Sequence, residues 1–234
     1  SGIIVVGIFC LYGELQLLNF WFADQDYSMG YNLNRAQQYV MANQYLENAV
    51  KLYPGEDLYK NELSLNLATL ALLLNQQKQP AQAQEFIDRS VQFSDEVVSR
   101  HPQNVVYYKT RIQTMFELSQ IDEIYYTQAL NAIKTARVLA PTDAKIAYNE
   151  GLLYGQKGDL DTAIKILNEA IYLKSNYRDP RYAIASYLIQ KAKTETDPTA
   201  KQKLLDQAKT TLTYSLRNID SNDPQAKELL KSIE

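Results

Sequence analysis

Ala129 and Ala163 stand 34 residues apart, and so do Ala136 and Ala170, and Pro141 and Ser175. Three equal separations define a repeating unit, and a unit of that length is too short to enclose a core of its own. The same signal reaches the front of the chain. Gly30, Ala42, Leu46, Ala49 and Pro54 keep the spacing of Gly151, Ala163, Leu167, Ala170 and Ser175, with successive offsets of 12, 4, 3 and 5. Within the stretch from Ala144 to Tyr177, residues Leu160, Ala163, Ile164, Leu167, Ala170 and Ile171 recur at i, i+3, i+4 and i+7, which places them on one apolar stripe of a helix. A Gly158-Asp159 break precedes that stripe, so each unit reads as helix, turn, helix. Gly151 and Ala163 have almost no side chain and let the two helices approach, while Tyr154 and Leu167 fill the space beside them. One such hairpin leaves an apolar outer face, which only neighbouring hairpins can bury.

The spacing Gly151-x2-Tyr154 followed by Ala163-x3-Leu167 resembles the tetratricopeptide repeat (TPR), with Ala147 where that pattern often has Trp and Ser175 where it has Pro. The resemblance implies an all-α fold, a right-handed α-α superhelix or TPR solenoid of about five helical hairpins with a C-terminal capping helix. The expected repeats cover residues 24–55, 56–102, 103–142, 143–176 and 177–220, with a cap at 222–234. In the second repeat the first helix, from about Leu58 to Gln77, is apolar nearly all round, and Pro80 suits the first turn of the next, which runs to Arg100. Asn104 is an expected N-cap, SQIDEIYYTQ an extended joint, and Asp179-Pro180, Asp197-Pro198 and Asp223-Pro224 three N-cap and Pro pairs.

Composition excludes several functions. Net charge is −3 with acidic and basic residues interspersed and a sequence pI near 5.4, so nucleic acid is not an expected partner. The one cysteine, Cys10, excludes an internal disulfide, and the one histidine, His101, lacks a second His or Cys for a metal site. A helix C-terminus is the ordinary place for it. No phosphate-binding glycine loop, Ser-His-Asp set or working carboxylate pair is present: the glycines of GLLYGQKG are helical or at a joint, and Asp159 and Asp161 suit a helix start. The chain is therefore read as non-enzymatic, without cofactor or metal. Its 18 tyrosines are expected mainly as filling between hairpins.

Residues 1–23 differ from the rest. GIIVVGIFCLYGELQLLNFWF holds Glu14 as its only formal charge, and Phe20-Trp21-Phe22 resembles an interfacial aromatic belt. Residues 3–22 are read as a membrane-anchoring helix that continues a longer upstream region, since Ser1 is not an initiator methionine. Two alternatives stay open, a helix buried in the array and one paired with a second copy. Glu14 is either a functional group within that segment or a side chain at the interface. Asp24 and Asp26 precede the first basic residue, Arg35, which places the array outside the cytoplasm under the positive-inside rule; a cytoplasmic array is the alternative.

Stacked hairpins curve, and their first helices line the concave face. Counting from Gly151, the positions expected there are Lys145, Tyr148, Asn149 and Leu152, with Tyr182 and Ser186 in the fifth repeat. Lys109, Gln113 and Glu117 follow in the third, and Asn61 and Glu62 in the second. Amides, lysines and two tyrosines 34 apart suit an extended protein or peptide segment, and a merely solvated groove is the competing reading. The phrases YKNELSLNLATLA, YYKTRIQTMFELSQID, LAPTDAKIAYNEGLLYGQKGD and NYRDPRYAIASYL, behind an apolar helix, resemble the TPR tail of bacterial O-antigen ligase or polymerase-like membrane proteins. That resemblance implies a scaffold tethered within cell-surface glycan assembly, its catalysis lying elsewhere. A soluble adaptor or chaperone-like peptide binder is the alternative.

Overall fold

The structure, a computed structural model, describes the backbone of residues 2–233 and the side chains of residues 12–233. The described residues form eleven α-helices and no strand, so the all-α expectation holds: α1 (Gly2–Arg35), α2 (Tyr39–Leu52), α3 (Asp57–Gln76), α4 (Pro80–Arg100), α5 (Val105–Ser119), α6 (Ile124–Leu139), α7 (Ala144–Gln156), α8 (Leu160–Leu173), α9 (Asp179–Thr194), α10 (Pro198–Asn218) and α11 (Pro224–Lys231). They divide into two units, residues 1–132 and 133–234, with the division inside α6.

In the first unit α1 pairs with α2 and α3 with α4, while α5 packs on α3 and α4. Gly30 sets the first pairing. A Cβ there would lie 2.7 Å from Leu46 Cγ and 3.1 Å from the Ala42 carbonyl oxygen, so no larger residue fits without displacing the helix beside it. Leu46 packs with Leu63 and Leu67 against Phe86 and Phe93, and Ala23 and Ala49 pack with Tyr59. Helix α3 buries 12 of its 20 residues, which explains why apolar residues surround it. Ser90 Oγ donates to the Ser64 carbonyl at 2.7 Å, a contact that small residues on both helices allow. At the outer end of this pair, Asp57 and Lys60 are buried. Arg100 Nη1 lies 3.0 Å and His101 Nε2 2.9 Å from the Asp57 carboxylate, and Lys60 Nζ reaches Glu96 at 2.7 Å and Asp57 at 3.7 Å. His101 also closes α4, its backbone N–H donating to the Val97 carbonyl at 3.1 Å.

The second unit repeats the device. α7 pairs with α8 and α9 with α10, and α11 packs on α9 and α10. A Cβ on Gly151 would meet Leu167 Cγ at 2.7 Å and the Ala163 carbonyl at 3.3 Å, the same two relative positions as around Gly30. Leu167 then joins Tyr182, Ala185, Leu188, Ala208, Leu212 and Ala226 in one core. Arg137 donates to Glu150 at 2.8 and 2.9 Å and to Glu169 at 2.7 Å, pinning α6 to α7 and α8. Carboxylates cap the helices. Asp143 accepts from Lys145 N, Asp159 from Thr162 N, Asp197 from Thr199 N and Ala200 N, and Asp223 from Gln225 N and Ala226 N.

Two local expectations change. The stretch from Ser119 to Gln128 is not an extended joint: α6 begins at Ile124, because the Asp122 carboxylate accepts from Ile124 N at 3.0 Å and starts the helix early. Asp179 is not an N-cap. Arg178 is already helical (φ −77°, ψ −46°) and its carbonyl takes the first helical bond from Arg181 N, which puts Asp179 inside the first turn. The hairpin turns also share a left-handed residue, at Gly158 (φ 82°) but also at Gln37 (φ 60°) and Lys78 (φ 62°), where the residue type gives no warning.

Helix α1 runs unbroken through residue 23. Beyond its partner α2 it exposes Tyr12, Leu15, Leu17, Leu18, Trp21 and Phe22. Among the described residues no helix is long and apolar enough to cross a membrane. The side chains of Ile3 to Leu11, on which the anchoring expectation rests most, lie outside those described, as does Cys10.

Candidate functional site

Each unit presents a face made by its first helices. In the first unit α1, α3 and α5 are joined across that face by amide side chains. Asn34 Nδ2 donates to Glu62 Oε1 at 2.7 Å, and Asn66 Nδ2 donates to Asn34 Oδ1 at 2.7 Å and to the Tyr39 carbonyl at 2.9 Å. Asn43 Nδ2 completes the chain on Asn66 Oδ1 at 3.1 Å. Asn61 Nδ2 donates to Thr110 Oγ1 at 3.0 Å, tying α3 to α5. Asn61 is thereby buried, so of the residues expected to face a partner it serves the packing instead. Glu62, Lys109, Gln113 and Glu117 are half-buried.

The electrostatics of this face follow from its partial burial. Burial raises the Glu62 carboxyl above the ordinary carboxylate range, and the bond from Asn34 lowers it by less. Burial raises Glu117 in the same direction. The Tyr27 phenol is raised by burial first and then by the Glu62 charge. Its ring stacks on Tyr59 at 5.1 Å and lies 6.1 Å from the ring of Tyr31, and the Arg35 guanidinium sits 5.8 Å over Tyr31. Sequence reasoning missed Tyr27, Tyr31 and Asn34. The signal exists, since Tyr27 precedes Gly30 by three residues as Tyr148 precedes Gly151.

In the second unit Lys145 and Ser186 are exposed, and Tyr148 and Leu152 half-buried. The Tyr148 ring lies 5.4 Å from that of Tyr177, and its phenol is pushed up to about 12 by burial and then by Asp179. Two expected residues belong to the interior. Asn149 is buried, and Tyr182 is buried with its hydroxyl donating to Asp223, the carboxylate that also caps α11. Tyr182 therefore joins the array to its last helix. Tyr187 lies against Gly155, where a side chain would collide with its ring.

A cleft of about 1050 Å³ opens between α8, α9 and α10, floored by Ile164, Ile184 and Leu188 and rimmed by polar residues including Gln202, Lys203 and Asp206. The longer of its outer walls is α10, 21 residues against 14 in α8. Among the described residues no group of three or more His, Cys, Asp or Glu is placed to hold a metal ion.

Residues 144–177 match the family model for the tetratricopeptide repeat. The chain has no match among curated proteins. Solved structures resemble it in fold. A thermophilic TPR protein of Thermus thermophilus is 19% identical with a TM-score of 0.69, over 90% of this chain and 98% of that one. PilF of Pseudomonas aeruginosa is 14% identical with a TM-score of 0.53, over 92% and 90%. A tetratricopeptide repeat protein of Parabacteroides merdae is 16% identical with a TM-score of 0.52, over 91% and 72%. None of these links the chain to O-antigen ligase tails.

Proposed function

We propose that this chain is a non-catalytic scaffold that holds a segment of another protein on the first-helix faces of its TPR-like hairpins. The observation that carries this reading is the state of those faces. Glu62, Gln113, Glu117, Lys145 and Ser186 stand half-buried or exposed on helices held by contacts elsewhere: α3 by Leu46 and by the Ser90–Ser64 bond, α5 by Asn61–Thr110, α7 by Gly151–Leu167, and α9 by the core of Leu167, Ala185 and Leu212. A preformed face loses little conformational freedom when a partner docks. The reading fits an adaptor or chaperone-like peptide binder.

In cross-linking and capture with the full chain, Gln113→Arg with Lys145→Glu and Ser186→Arg is expected to weaken retention of the partner about tenfold. Tyr172→Ala, on a second helix and 88% exposed, should leave it unchanged. Equal loss in both variants, or in neither, contradicts the proposal.

The bare apolar side chains of α1 favour a second reading. Leu15, Leu17, Leu18, Trp21 and Phe22 point several ways round a helix with nothing packed on most of them, a pattern that asks for cover from a bilayer or from neighbouring helices. In that reading the hairpins hang from a membrane, as in the glycan-assembly tethering considered above, on either side of it. Co-sedimentation of the full chain with liposomes, lost on Leu17→Asp with Trp21→Asp, separates this reading from the first.

A further inference from the structure

Charge divides unevenly between the two units. Residues 1–132 carry fourteen Asp and Glu against eight Lys and Arg, a formal −6, whereas residues 133–234 carry thirteen against sixteen, a formal +3. Within the acidic unit, the first-helix face holds a carboxylate that its own chain leaves half satisfied. Glu62 Oε1 takes the Asn34 amide, and among the described residues Oε2 receives no donor and the carboxylate has no basic partner. The same Asn34 is held in turn by Asn66, so the carboxylate is positioned rather than free to turn into solvent. Tyr27 and Tyr31 precede Asn34 on the same helix with their rings 6.1 Å apart, the Glu62 charge acts on the Tyr27 phenol, and Tyr31 already carries the chain's own Arg35 over its face.

A fixed carboxylate with one open oxygen, next to aromatic faces and inside a unit of net negative charge, is complementary to a flat cation. We infer that the α1–α3 face receives an arginine side chain from an extended segment of the protein partner, its guanidinium donating to Glu62 and lying against Tyr27 and Tyr31. The inference rests on the scaffold reading above and names the chemistry of what is held. Arginine fits better than lysine because a planar fork can bond a carboxylate while stacking on a ring, whereas an ammonium is compact and strongly hydrated. The raised carboxyl of Glu62 agrees with this, since a half-buried acid without a cation is the group that gains most when one arrives.

The test uses random linear peptides displayed on phage and selected on the full chain, followed by synthesis of the best binder with its arginine intact or replaced by citrulline, which keeps the shape and removes the charge. Enrichment of arginine is expected, and fluorescence anisotropy should show citrulline weakening binding about tenfold with the parent protein but hardly at all with Glu62→Gln. The amide still accepts from Asn34. Burial raises the carboxyl in the fold, so its contribution to stability is present at low pH and lost as pH rises through the folded value; Glu62→Gln should therefore melt no lower than the parent at neutral pH. Tyr31→Ala, at an exposed ring, should weaken the arginine peptide about threefold and the citrulline peptide not at all. Peptides without arginine, or a citrulline penalty equal in the parent and Glu62→Gln, would overturn the inference and leave the scaffold reading standing. Selection of no peptide at all would overturn both.

Discussion

Replacing Leu167 by alanine is expected to lower the free energy of unfolding by about 2–5 kcal/mol, measured by urea denaturation followed by circular dichroism. Leu167 is fully buried, and its side chain occupies the place that Gly151 leaves open on the facing helix. It also belongs to the core that runs through Tyr182, Ala185 and Leu212. The substitution therefore opens a cavity between α7 and α8 and loosens the hold of α8 on the next hairpin. Because hairpin arrays are stabilised by contacts between nearest neighbours, the loss should fall first on the C-terminal unit and broaden the transition. A change below about 1 kcal/mol, the size of an ordinary surface substitution, would contradict the packing described.

Asp57→Ala should cost about 3 kcal/mol, the lower end of what breaking a buried ion pair costs, because Lys60 keeps Glu96 at 2.7 Å. The effect comes from the buried members. The side chains of Asp57 and Lys60 are 7% and 8% exposed, so removing the carboxylate leaves an ammonium short of compensation in a poorly solvated place. Arg100 and His101 are 50% and 44% exposed and return to water at little cost. Lys60→Met in the Asp57→Ala background is expected to recover part of the loss, since it removes the stranded charge. Thermal melts of the two variants decide it, and equal melting temperatures would assign the loss to the helix start instead.

Much of the architecture is legible in the residues. Gly30 and Gly151 reveal their hairpins because a missing side chain at a fixed offset from a buried Leu has a single structural use, and Pro80, Asn104, Asp197 and Asp223 mark helix starts by chemistry that works locally. What stays hidden depends on neighbours distant in sequence. Gln37 and Lys78 adopt left-handed turns that their side chains do not favour, held there because the helices on either side are already paired. The faces are legible only in part. Repeat spacing gives each residue's direction around its helix, but Asn61 and Tyr182 find partners in Thr110 and Asp223, 49 and 41 residues away, and become interior. Tyr27 and Tyr31 escape notice for another reason: they follow directly on an apolar stretch that draws the reading toward a membrane.

Two of the helix pairs, α1–α2 and α7–α8, touch at a glycine set against a leucine, and the account rests on that contact. Gly151→Ala measured in the parent and in the Leu167→Ala background tests it most directly. In the parent, the new methyl meets Leu167 Cγ at 2.7 Å and should destabilise by about 1–3 kcal/mol, although alanine is the better helix former. With Leu167 truncated the collision with its side chain is gone and only the Ala163 carbonyl at 3.3 Å remains, so the same substitution should become close to neutral or stabilise by up to about 1 kcal/mol. Equal effects in the two backgrounds would mean that these helices do not meet there.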